Sequence, residues 1–177
     1  MSRYQYILNS ISLNSTLPKM IGIFPFNALV DAASSNIHQG KLEFFEEAVD
    51  GLKLLGQQGT SVVLFINQFK DRQLGYEQFT ALNQAIEKFI RQYGIQVLGV
   101  YWCPTIDKRD PFVVPNSGMF NKVTENQGID WNGVPVISSS DNDLAAAAKV
   151  NATPIKIGKG PSKWTSFDSF KTYVVSR

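Results

Sequence analysis

Five short, largely apolar runs, each followed by or preceding a stretch of helical periodicity, constrain this 177-residue chain more than any other feature. The runs cover residues 20–24, 61–65, 95–101, 134–137 and 153–157. A strand buried on both faces reads as a continuous apolar run, whereas a half-exposed strand alternates. Between the runs, Phe45, Val49 and Leu52 recur at helical spacing, with Gly56 and Gly59 closing the segment. Tyr76, Phe79, Leu82, Ile86, Phe89 and Tyr93 form a longer stripe that ends at Gly94. Shorter helices are expected over 117–126, over the alanine-rich 141–150 with Asn151 as its cap, and over 166–174. Strands alternating with helices in this way predict an α/β fold with a mostly parallel sheet of five strands.

Composition narrows the function classes. The 17 basic and 15 acidic side chains give a formal net charge of +2, too small to direct the chain to nucleic acid. The late lysines, Lys156, Lys159, Lys163 and Lys171, read as a solvated face. Cys103 is the only cysteine, so an internal disulfide and a thiolate zinc cage are excluded, which suits a reducing cytoplasm. No run approaches the roughly 20 apolar residues of a membrane span, and no direct membrane insertion is expected. Residues 1–19 mix Ile7, Leu8, Ile11 and Leu13 with asparagine and serine, and read as an extension ahead of a single domain over 20–177.

Ligands of parallel α/β sheets bind beyond the carboxyl ends of the strands. Those positions carry Pro25-Phe26-Asn27-Ala28, Ile66-Asn67-Gln68, Trp102-Cys103-Pro104 and Ser138-Ser139-Ser140, the last leading to Asp143. With Val113-Val114-Pro115-Asn116-Ser117-Gly118-Met119, this order and spacing resembles the haloacid dehalogenase superfamily, in particular its small heptose-bisphosphate and histidinol-phosphate phosphatases. The most specific stretch runs from Phe44 to Pro104. There Phe65-Ile66-Asn67-Gln68 is similar to the family's strand ending in Thr-Asn-Gln, and Tyr101-Trp102-Cys103-Pro104 to its Tyr-Tyr-Cys-Pro. The resemblance implies a three-layer Rossmann-like fold without a large cap domain.

It also implies where the family's chemistry would sit. The nucleophilic aspartate falls on Pro25 and the general acid and base on Asn27. The phosphoryl-binding threonine falls on Ile66 and the neutralising lysine on Val114. The acidic fourth motif reads Ser138, Ser139 and Asp143, so Asp143 is the one metal-ligand candidate left, and the zinc loop keeps Cys103 alone. Phosphoryl transfer through an aspartate needs a nucleophile, a charge-neutralising metal and a proton donor. Proline and valine supply none of these, and asparagine does not shuttle protons near neutral pH. These substitutions lead to the expectation of a chain that is not an enzyme, with no catalytic residue, no metal and no cofactor, acting as a structural or regulatory subunit through protein contacts. The former crater is expected to be filled by its own side chains or to accept apolar groups. The alternative is a phosphate or small-molecule binding module using Asn27, Asn67, Gln68, Ser139 and Asp143. A third reading is an enzyme with relocated carboxylates at Asp31, Asp141 and Asp143.

Protein partners, up to a multi-subunit assembly, are expected to meet Tyr4, Tyr6 and Ile7 in the extension and Trp131 and Trp164 near turns, because tryptophan and tyrosine are enriched at binding hot spots. Trp102 reads as partly core. His38 sits in a loop, the serines at 138–140 read as a simple helix N-cap, and 158–163 as a turn.

Overall fold

The computed structural model describes residues 20–71 and 73–177. Expectations placed on Tyr4, Tyr6 and Ile7 lie outside them. In chain order the elements are β1 (Met20–Ile23), α1 (Pro25–Ala28), α2 (Glu46–Gln57), β2 (Ser61–Asn67), α3 (Tyr76–Arg91), β3 (Val97–Cys103), α4 (Gly118–Gln127), β4 (Pro135–Ser138), α5 (Asp141–Ala148), β5 (Thr153–Ile157), β6 (Thr165–Phe167) and α6 (Phe170–Val175).

The six strands form one sheet in the order β3-β2-β1-β4-β5-β6, and every neighbouring pair is parallel. Side chains alternate across each strand, so successive residues feed opposite cores. Ile21, Val62, Leu64, Ile66 and Ile137 face a core closed by Leu52 and Leu55 of α2, Phe79, Ile86 and Ile90 of α3, and Phe170 and Val174 of α6. Phe24, Val63, Phe65 and Val136 face a second core closed by Met119, Phe120 and Val123 of α4 and Ala146 and Ala147 of α5. Helices on both faces of a parallel sheet explain why the central strands β1, β2 and β4 read as nearly continuous apolar runs.

The expected α/β class and parallel sheet hold, with one strand more than the five expected. The extra strand is β6, which pairs with β5 through Ile155–Thr165 and Ile157–Phe167. The helix expected from 166 begins only at Phe170, because Ser169 caps it: its hydroxyl accepts the Thr172 amide at 3.1 Å. No helix among the described residues is long and apolar enough to cross a membrane.

The topology fixes where a site can form. The chain runs outward from β1 to β2 and β3, then returns to place β4 on the other side of β1. The connections above β1 and β4 diverge there and leave a crevice at the switch point.

Candidate functional site

Four strand ends build the crevice. After β1, the Phe24 amide still bonds to the Ile137 carbonyl at 3.0 Å, and the chain turns at once into α1. Pro25 opens that single turn, where a missing N–H costs nothing. The turn aims Asn27 across the sheet end. β2 delivers Asn67 and Gln68, and β4 delivers Ser138 ahead of α5, which carries Asp143.

These side chains converge on one buried carboxylate. Asp143 is 1% exposed. Its Oδ2 accepts from Asn27 Nδ2 and from Ser138 Oγ, each at 2.6 Å, and its Oδ1 accepts from Asn67 Nδ2 at 2.8 Å. Burial pushes its pKa above the ordinary carboxylate value; the bonds from Ser138, Asn27 and Asn67 and the charge of Lys70 oppose that shift without cancelling it. The serines do more than cap α5. Ser140 is the N-cap residue but makes no side-chain cap bond, while Ser138 Oγ accepts the Ser140 amide at 3.0 Å. Ser139 Oγ donates to the Asn27 carbonyl at 2.5 Å.

Above this cluster lies an open cavity of about 890 Å³, within the roughly 300–1,000 Å³ of small-molecule sites. The crater is therefore not filled by its own side chains. Of the ligand candidates read from sequence, Asn27, Asn67, Gln68 and Asp143 line it; Ser139 does not, because it faces a neighbouring groove of about 520 Å³. Ile66 and Val114 line the crater as apolar wall, and Pro25 is buried beneath it. Phe26 lines it as well, and the missed contributors are Phe69, Ile106, Lys70 and Lys108. Lys70 follows Asn67, the last residue of β2, by three positions, so counting further past the strand end would have found it. Lys108 sits in the loop after β3 and has no such local signal.

Gln68, 6% exposed, is committed to the scaffold. Its Nε2 donates to the Leu74 and Pro104 carbonyls at 3.1 and 3.2 Å, and its Oε1 accepts the Phe69 and Leu74 amides at 3.1 Å each. One buried amide thus ties together the two loops that carry Phe69, Lys70, Thr105, Ile106 and Lys108. The opposite wall, Val113 to Pro115, is held by the Gly118 amide bonding to the Pro111 carbonyl at 2.9 Å. A Cβ at Gly118 would collide with that same carbonyl, so the close approach needs glycine.

Other sequence candidates fall outside the crater. Trp131 is 2% exposed, packed edge-on against Phe120 at 5.1 Å, with its indole N–H bonded to the Phe120 carbonyl; it is core, not a partner anchor. Trp164 is half-buried under Lys163 Nζ, 4.7 Å from its ring centroid. Asp31 and Asp141 do not join Asp143. Asp31 is engaged by Ser34 and Asp141 by Lys156, and these contacts hold both carboxyls below their ordinary pKa. Cys103 is buried, which pushes its thiol pKa up and away from nucleophile behaviour. His38 lies exposed in a 3-10 turn.

The donor set does not fit magnesium. That ion prefers several hard oxygen ligands, commonly with more than one carboxylate. No group of three or more histidine, cysteine or acidic side chains suited to a metal exists among the described residues, and both Asp143 oxygens already accept amide or hydroxyl protons.

Comparison with known proteins gives the site its context. No protein-family profile matches the chain. The chain is 26% identical over 118 residues to the D-glycero-beta-D-manno-heptose-1,7-bisphosphate 7-phosphatase of Pseudomonas aeruginosa, a match covering 64% of this chain and 66% of that protein, just under two thirds of its length. Among solved structures, the D,D-heptose 1,7-bisphosphate phosphatase of B. bronchiseptica, complexed with magnesium and phosphate, superposes with a TM-score of 0.73 at 18% identity, covering 89% of this chain and 96% of that one. The Burkholderia thailandensis heptose-bisphosphate phosphatase gives 0.63 at 14% identity, with the same coverages of 89% and 96%. A haloacid dehalogenase-superfamily hydrolase from Ehrlichia chaffeensis gives 0.64 at 13% identity, covering 92% and 98%. These relatives are phosphatases and hydrolases, and they overturn the expectation that the chain is not an enzyme: the residue types at 25, 27, 66 and 114 do not license that conclusion. By strand order and superposition the chain has the fold of the haloacid dehalogenase-superfamily phosphatases, and in sequence it is similar to a heptose-bisphosphate phosphatase.

Proposed function

We propose that the chain binds a small organic phosphate ester in the crater at the strand ends. The observation that carries this reading is the open cavity itself, with Lys70 and Lys108 on its lining and the Asp143 carboxylate screened at its base by three donors. An unscreened carboxylate there would repel a phosphate. Wrapped in the Asn27 and Asn67 amides and the Ser138 hydroxyl, it presents amide groups to the ligand instead. The named substrates of the relatives, heptose bisphosphates, are of the same chemical class. Asn27, Asn67 and Asp143 are the ligand-facing residues proposed from the sequence-derived set; Gln68 shapes the walls. Protein contacts through Trp164 have no observation that favours them over this reading.

The test is calorimetric titration and thermal denaturation with a panel of sugar phosphates and aryl phosphates, with and without magnesium. Phosphate release is measured in the same samples, so turnover is read directly. A bound ligand raises the midpoint as its concentration passes Kd. The double variant Lys70→Gln with Lys108→Gln is expected to weaken binding and flatten its salt dependence. Absence of any stabilisation across the panel refutes the reading.

A further inference from the structure

The polar atoms at the base of the crater are largely spoken for, and much of its wall is apolar. Asn27 Nδ2, Asn67 Nδ2 and Ser138 Oγ all point at Asp143. Every donor and acceptor of the Gln68 amide is used within the scaffold. Phe26, Phe69, Ile106, Val113, Val114 and Pro115 supply a broad apolar wall, and Thr105, Ser140 and Asn142 add polar side chains to the lining. Phe26 and Phe69 meet edge to face with centroids 5.3 Å apart, which leaves ring surface turned to the cavity. Ile106 is 42% exposed, one of few large apolar side chains left to solvent among the described residues.

Such a site treats the two ends of a ligand differently. The anionic head meets two lysines. The body meets hydrocarbon and aromatic rings. A polyhydroxylated body would lose water from each hydroxyl set against Val113, Val114 or Ile106, and Thr105, Ser140 and Asn142 offer partners for only some of them. An aromatic body would bury its own apolar area and cover Ile106, and its edge or face would complete the Phe26–Phe69 arrangement.

We propose that the crater selects phosphate esters and phosphonates with an aryl body over sugar phosphates. This rests on the binding reading above and names its ligand class. The experiment is calorimetric titration with 1-naphthylphosphonate, methylphosphonate and glucose 6-phosphate. The phosphonates share one head group and carry a carbon–phosphorus bond that phosphate-ester hydrolysis does not cleave. The naphthyl compound is expected to bind at least about tenfold more tightly than the other two. Phe69→Ala and Ile106→Ser, each confirmed folded by circular dichroism, are expected to reduce that preference to about threefold or less. If glucose 6-phosphate or methylphosphonate matches the naphthyl compound on the unaltered chain, aryl selection is wrong and the binding reading stands. If neither variant narrows the preference, the walls are not its source and the proposal fails. If none of the three compounds binds, and the wider ester panel also fails, both readings fall together.

Discussion

Replacing Asp143 separates the charge of the buried carboxylate from its hydrogen bonds. Asp143→Ala removes the acceptor for Asn27 Nδ2, Asn67 Nδ2 and Ser138 Oγ at one stroke. Ser138 is fully buried and its hydroxyl loses its acceptor outright, whereas the two half-buried amides line the open crater and are within reach of water. An unsatisfied buried donor costs about 1–3 kcal/mol, and relief of the buried charge offsets part of it, so the net loss is about 1–2 kcal/mol. Asp143→Asn keeps the shape. One amide oxygen accepts from Asn27 and Ser138, and the introduced N–H₂ meets Asn67, whose buried Oδ1 has no partner and turns toward it by rotation of the Asn67 amide. That variant is expected within about 1 kcal/mol of the unaltered chain. The pH dependence gives an independent check. Because burial raises the folded-state pKa above the unfolded value, the folded state holds this proton more tightly. The resulting stabilisation is complete in acid and is lost as pH rises from the ordinary carboxylate range through the folded value. Asp143→Asn lacks that loss, so it should gain progressively on the unaltered chain as pH rises above the ordinary carboxylate range in urea unfolding. Equal destabilisation by the alanine and asparagine variants, or a difference between the unaltered chain and Asp143→Asn that does not change with pH, refutes this account of the cluster.

Three further outcomes follow from the same geometry. Gln68→Ala leaves four backbone groups of two loops without their partner, and is expected to cost about 2–3 kcal/mol in chemical unfolding and to raise amide exchange at Phe69 and Leu74; unchanged exchange there would show that the loops are held by something else. Trp131→Ala empties a fully packed position between Phe65 and Phe120 and should cost about 3–5 kcal/mol in unfolding measurements, whereas an interface anchor would leave the isolated chain's stability nearly unchanged. Gly118→Ala forces its new methyl group onto the Pro111 carbonyl, so a loss of about 1–3 kcal/mol with weakened ligand binding is expected, read by thermal denaturation and titration.

The parts of this protein that were legible in its sequence are those governed by local periodicity. The runs at 62–65 and 134–137 are apolar throughout because both sheet faces are covered, and that pattern needs no partner to be recognised. β6 escaped because Thr165, Ser166 and Phe167 form only three residues of an edge strand, and their register comes from Ile155 to Ile157 rather than from their own composition. The crater divides in the same way. Asn27, Asn67, Gln68 and Asp143 follow from counting past strand ends, yet their roles do not, since only the fold shows that three of them spend their polarity on the fourth or beside it. Residue types at 25 and 114 invited an inference about activity that types alone do not carry. What decides the character of the site is how polar groups are paired. A carboxylate that faces a cavity in the open repels anions at contact, but the same carboxylate behind two amides and a hydroxyl has its oxygens already engaged, while Lys70 and Lys108 place positive charge on the lining.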